Sequence, residues 1–231
     1  MPYYLGIDWT YIILVLPAVI FALVAQAKVS STFEKYNKVA TRSGMTGYNA
    51  ARMILDRNGL YDVKVEHIGG NLTDHYDPRA KVIRLSDATF NSNSAAAVGV
   101  AAHEAGHAVQ HATEYGPIKV RSAIIPITNI GSKLTLPLIL IGALLALQPL
   151  VTLGIAFFAL STVFQLVTLP VEFDASSRAM QTLRASGFMD EGELAASRKV
   201  LTAAAMTYVA ALAVSLMQLL RLILIFGRRN D

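Results

Sequence analysis

The sequence predicts a mainly α membrane protein: about four transmembrane helices with a small α+β region between them. Three observations carry that expectation. The 231 residues are 54% hydrophobic and only 16% charged, against about 25% charged in an ordinary soluble domain. Mean hydropathy is +0.45. The apolar residues also concentrate in charge-free runs long enough to cross a bilayer, separated by a polar stretch from 28 to 121.

The first run, Trp9 to Ala27, is 19 residues without a charge. It meets the length needed for about 30 Å of hydrocarbon. Pro17 within it is tolerated in a spanning helix, and Trp9 and Tyr11 suit an interface. Ala25-Gln26-Ala27 resembles a signal-peptidase site, but the segment before it has no Lys or Arg and contains Asp8, the wrong character for a leader. Residues 1–28 are therefore expected as an N-terminal transmembrane helix. Lys28, Lys35, Lys38 and Arg42 follow it closely, which places 29–121 in the cytoplasm and the N-terminus outside.

Within 29–121, Ser43 or Thr46 is positioned to cap a helix through Ala50 to Arg57 that stops at Asn58-Gly59. Val63, Val65 and His67 alternate with polar residues, as do Ile83 and Leu85, which predicts a two-stranded ribbon with a long loop. Ser92 or Ser94 then caps a helix from Ala95 to Ala112. Between Lys133 and Glu172 lie 38 uncharged residues, broken at Gln148-Pro149. They read as a transmembrane hairpin over 122–171, with arms at about 134–148 and 150–171, the first arm starting earlier if Ala123–Ile130 belongs to it or re-entrant if not. A helix carrying Glu172 and a cytoplasmic segment, 172–199, precede a C-terminal transmembrane helix and tail, 200–231. Arg221 is expected to snorkel to the interface. Arg228 and Arg229 weigh against an external C-terminus.

The chemistry is concentrated in His103-Glu104-Ala105-Gly106-His107, an HExxH pattern on the 95–112 helix. Side chains four apart share a helix face, about 6 Å apart at Cβ, so both imidazoles can reach one zinc ion. Glu104 is placed to take the proton of the attacking water as general base. The bland alternative is two half-buried histidines beside an exposed glutamate. The small apolar run Ala95–Ala102 argues for a buried helix, where an unliganded His-Glu-His cluster is costly. Gly106 inside the helix costs about 1 kcal/mol relative to Ala, which suggests close approach by another element.

A catalytic zinc needs a third protein ligand. His111 is too far: it lies about 12 Å along the helix from His103, and it reads as a cation at the helix C-terminus. His67, His75, Glu172 and Asp174 remain candidates. Cysteine ligands and disulfides are excluded because the chain has no cysteine. The +4 net charge is scattered, so no nucleic-acid surface is expected.

Three segments resemble the YugP-type neutral zinc metallopeptidases: Ala102 to Ala108 around the motif, Leu72-Thr73-Asp74-His75-Tyr76-Asp77-Pro78 upstream, and Leu169-Pro170-Val171-Glu172-Phe173-Asp174-Ala175-Ser176 downstream. These are membrane zincins distantly similar to the gluzincins of the HtpX and CaaX-protease type. There, a glutamate in an E-F-x-A-D motif completes the zinc site. The resemblance implies Glu172 as third ligand and a zincin-like arrangement of 29–121. This chain has Ser176 where the motif carries Asp, so Asp174 or Asp74 is expected to substitute for that acid in supporting a ligand. His75, Tyr76 and Arg178 are further candidates for support or for stabilising the transition state, and Tyr208 for the latter. Glu172 ends a long apolar span, so the metal is expected near the membrane surface. Lys81–Leu85 is a candidate edge strand for pairing with a substrate peptide, and Asp74–Asp77 a candidate loop over the site.

The expectation is thus a membrane zinc endopeptidase acting on membrane or membrane-proximal polypeptides. It is expected in the bacterial plasma membrane, with the active site facing the cytoplasm by the positive charges after the first helix, and a homo-oligomer is compatible with it. An intramembrane protease of the site-2 type needs an Asp in a later span, and 134–171 and 200–220 have none. A transporter predicts ionisable residues within the spans, and Arg221 alone qualifies. A membrane scaffold or adaptor retaining a structural metal site is the alternative of another class.

Overall fold

A computed structural model describes residues 8–227. Arg228 and Arg229, invoked above for orientation, lie outside the described residues. Six α-helices and three strands follow in the order α1 (Leu16–Tyr36, preceded by a π-helical turn Tyr11–Val15), α2 (Gly47–Arg57), β1 (Lys64–His67), β2 (His75–Asp77), β3 (Val82–Leu85), α3 (Ala95–Ala112), α4 (Gly116–Leu144), α5 (Gln148–Ser186) and α6 (Glu191–Phe226). Among the described residues, four helices are long and apolar enough to cross a membrane: Tyr11–Tyr36, Gly116–Leu144, Gln148–Ser186 and Glu191–Phe226. The chain divides into two compact units. One comprises the residues up to Ala25, Val120–Leu169 and those from Thr207 on; the other comprises Gln26–Lys119 and Pro170–Met206.

The first unit is apolar. Leu136, Leu144, Leu153, Val163, Leu166, Leu216 and Leu220 are exposed on it, a surface suited to lipid and not to water. The hairpin breaks where expected. Helix α4 ends at Leu144, Ala146 takes a positive φ of 55°, and α5 starts at Gln148 with Pro149 in its first turn, where the missing N–H costs nothing. Its first arm is longer than the charge-free window, reaching back to Gly116 through Lys119, Arg121 and Lys133. Arg221 does not snorkel outward. It is 3% exposed, its Nε lies 3.4 Å from an Asp8 carboxylate oxygen, and its guanidinium lies 5.4 Å from the centre of the Tyr11 ring. An inward acidic partner is worth more to a buried guanidinium than a long reach to water.

The second unit holds the polar region. Thr46 caps α2 by accepting from Asn49 N–H, and Ser94 caps α3 by accepting from Ala97 N–H. The sheet is three-stranded in the order β1-β3-β2 and not the two-stranded ribbon expected. Strand β1 runs parallel to β3, and β2, taken from within the presumed loop, pairs antiparallel to β3's other edge. An unpaired β3 edge would leave main-chain groups unsatisfied, and the Asp77 carboxylate shapes the return turn by accepting from Arg79 and Ala80 N–H. Lys81–Leu85 is therefore an interior strand, closed to peptide pairing, and Asp74–Asp77 contributes a strand where a loop over the site was expected.

The core packs Ile54, Leu55, Ile83 and Leu85 against Ala101, Ala102 and Ala105 of α3 and Ala179 and Leu183 of α5. Helix α6 opens with a reciprocal cap. Asp190 Oδ1 accepts from Glu193 N–H, and Glu193 Oε2 accepts from Asp190 N–H.

Candidate metal centre

Helix α3 is built to be approached closely. Its first two turns are almost wholly Ala, Val and Gly. A Cβ on Gly106 would sit 2.6 Å from the Ala175 carbonyl oxygen of α5, so the sequence-level inference from that glycine holds, and α5 is the element that comes close. Gly99 allows a similar approach by Ser197 of α6, whose hydroxyl donates to the Ala95 carbonyl at 2.6 Å.

This packing places Glu172 of α5 against the HExxH face. Its carboxylate is 3% exposed, with Oε2 3.3 Å from His103 Nε2 and 3.5 Å from His107 Nε2. The two imidazole rings meet edge-on, with centroids 4.7 Å apart. Among the described residues, His103, His107 and Glu172 form the one group of this kind able to hold a metal ion, with ligand atoms within 4.8 Å of one another. Tetrahedral zinc with bonds of about 2.1 Å sets its ligands about 3.4 Å apart, and the two distances to Glu172 match that spacing. Both Nδ1 atoms face other partners: His103 Nδ1 lies 3.0 Å from Ser176 Oγ, and His107 Nδ1 lies 3.0 Å from Gln110 Oε1. Each ring thus turns its Nε2 toward the shared carboxylate, and the donor set fits zinc. Burial disfavours a proton on His107, but the Glu172 and Glu104 carboxylates and the Gln110 amide outweigh it, so its pKa stands above the ordinary imidazole value.

The other expected residues fall differently. Asp174 accepts from Gln110 Nε2 at 2.8 Å and from Arg178 Nε at 2.6 Å, so both lie around the site without joining the cluster. Asp74 does not replace the missing acid; it accepts from Ser86 N–H and Oγ. Ser176, read as a gap in the motif, itself holds His103. His75 turns its Nδ1 to the Thr73 carbonyl and its Nε2 toward Arg84. Tyr76 lies against His111, with ring centroids 5.6 Å apart, and His111 sits in the last turn of α3 as expected. His67 is paired with Asp87 at 2.7 Å.

Gln110 escaped the sequence reading. A signal existed: it stands three residues after His107, on the same helical face. An amide on a helix is ordinarily solvated, however, and its partners lie 61 and 64 positions away.

Long apolar helices together with a His-His-Glu donor cluster on an HExxH helix are hallmarks of a membrane metalloprotein of the zinc peptidase class. The chain belongs to the family described as "Putative neutral zinc metallopeptidase", whose model matches residues 11–227. It is 50% identical over 221 residues to the "Putative membrane protease YugP" of Bacillus subtilis (strain 168), covering 96% of this chain and 98% of that relative. No solved structure matches the chain.

Proposed function

We propose that this chain is a membrane-embedded zinc endopeptidase in which His103, His107 and Glu172 hold the metal and Glu104 is the general base. The observation that carries the reading is the convergence of both histidine Nε2 atoms on one Glu172 oxygen, at 3.3 and 3.5 Å. Zinc held there supplies Lewis acidity that polarises a peptide carbonyl and activates water. Glu104, beside the first ligand on α3, accepts the water's proton as the oxygen attacks the carbonyl carbon. It then returns that proton to the departing amide nitrogen, so that the C–N bond breaks to give a carboxylic acid and an amine. The imidazoles, oriented through their Nδ1 partners, present Nε2 to the metal. Strand β2, at the sheet edge and packed beside α3, replaces β3 as the candidate edge for an extended substrate.

Glu172 follows directly on the 134–171 charge-free run. That supports substrates drawn from membrane or membrane-proximal polypeptides. The positive cluster Lys28, Lys35, Lys38 and Arg42 supports a cytoplasmic site, and the bacterial relative supports the plasma membrane.

The test pairs zinc content with proteolysis of an unfolded protein, using detergent-purified wild type and Glu104→Gln. The expected result is about one zinc in each and cleavage by wild type alone, the variant losing at least about 10²-fold in rate. Equal cleavage removes Glu104 from its role. A wild type that takes up zinc and cleaves nothing supports a scaffold with a structural metal.

A further inference from the structure

Gln110 is fully buried between α3 and α5, and both ends of its amide are partnered. The Nε2 group donates to the Val171 carbonyl at 2.7 Å and to Asp174 Oδ2 at 2.8 Å, and Oε1 lies 3.0 Å from His107 Nδ1. A main-chain carbonyl can only accept, so the NH2 end must face Val171 and the oxygen must face His107. An amide oxygen also only accepts. The His107 Nδ1 therefore carries a hydrogen, which leaves Nε2 as the ring nitrogen that faces Glu172 and is available to a metal. Asp174 is itself held by Arg178 Nε at 2.6 Å, and the Arg178 guanidinium lies 5.6 Å from the centre of the Tyr115 ring.

We propose that Gln110 is a positioning residue that registers α3 against α5 at the metal centre. Through one amide it fixes the tautomer and plane of His107 and ties that ring to the main chain at Val171, the residue before Glu172. The proposal rests on reading His103, His107 and Glu172 as the ligands. Two ligands that come from helices about 65 positions apart in sequence are thereby set relative to each other by a single side chain. The link carries no charge of its own. The Asp174 carboxylate reaches His107 only through the amide and is paired with Arg178, while the partner of His103 is the Ser176 hydroxyl. Neutral acceptors leave the imidazoles less electron-rich than carboxylate partners do, and hence the metal more electrophilic.

The experiment uses the full chain in detergent and measures three quantities: zinc affinity by chelator competition, the visible spectrum of the cobalt-loaded protein, and thermal melting of the metal-free form. Gln110→Leu is expected to weaken zinc binding about 10- to 100-fold and shift the cobalt bands. Gln110→Met, of similar volume and without the amide, serves the same purpose should the leucine variant not fold. Asp174→Asn keeps an acceptor oxygen for the amide and is expected to stay near wild type. Wild-type affinity and an unchanged cobalt spectrum in the Gln110 variants overturn the proposal, as does a lower melting temperature with unaltered zinc affinity, which marks a packing role only. Asp174→Asn weakening zinc as much as Gln110→Leu shows that charge is transmitted and overturns the neutral link. If wild type itself takes up no zinc, the metal-centre reading fails and this proposal with it. If wild type binds zinc and cleaves while the Gln110 variants match it, only the proposal fails.

Discussion

Ser176 shows how a residue that breaks a motif can still fill its place. Its hydroxyl lies 3.0 Å from His103 Nδ1, so it orients the ring as an acid would while adding no charge. Ser176→Ala is expected to weaken zinc binding about tenfold in chelator competition, through a ring no longer held at Nδ1. Glu172→Gln is expected to cost more, because it removes a ligand's charge and leaves an amide against two imidazoles. Loss of bound zinc after dialysis against micromolar chelator is the readout, and retention of stoichiometric zinc excludes Glu172 as a ligand. At this scale the HExxH residues were readable because their geometry is local: four residues make about one helical turn. Gln110 and Ser176 were not, because each is defined by a partner on another helix that no spacing rule reaches. Asp74 was misjudged for the same reason. Its partner, Ser86, comes from the segment following β3.

Among the elements, α3 depends on two glycines at which neighbouring helices press in. Gly106→Ala would put a Cβ 2.6 Å from a main-chain oxygen, which cannot swing aside. It is expected to destabilise by about 1–3 kcal/mol and to move His103 and His107 away from Glu172, lowering zinc affinity as well. Gly99→Ala meets Ser197 Cβ at 3.0 Å, a tighter fit than usual but a milder one, and should cost less of both. Denaturant melts and zinc titrations of the two variants test that order. The sheet was half legible. Alternation marked β1 and β3, whereas β2 is three residues long and too short to show a period. Its assignment follows from β3's need for a second partner. Helix α5 likewise outran its apolar signal. Hydropathy ends near Val171, but the helix continues to Ser186 because nothing beyond Pro170 breaks it until Gly187, whose positive φ of 72° ends the helix.

For the molecule as a whole, zinc binding is expected to couple to folding. If zinc binds only the folded chain, metal at about 100 times its dissociation constant adds about 2.7 kcal/mol. Stripping zinc with a chelator should therefore lower the melting temperature, and restoring zinc should recover it; an unchanged melt means that the metal does not stabilise the fold. The absence of cysteine makes topology directly measurable. Single Asn71→Cys and Leu147→Cys variants, both at exposed positions, should differ in intact cells. Leu147→Cys should react with an impermeant thiol reagent at once, and Asn71→Cys only after permeabilisation. The reverse pattern places the metal centre on the outer side. The class of the molecule, its four apolar helices, the hairpin break at Gln148-Pro149, and the HExxH residues on α3 were all written in local sequence, since hydropathy, helix period and turn residues act over a few positions. Which acid completes the donor set in space, which neutral groups hold the imidazoles, where Arg221 turns, and which strand forms the free edge were decided by tertiary packing. Each of those depends on a contact between residues far apart along the chain, and such contacts exist only once the helices have packed.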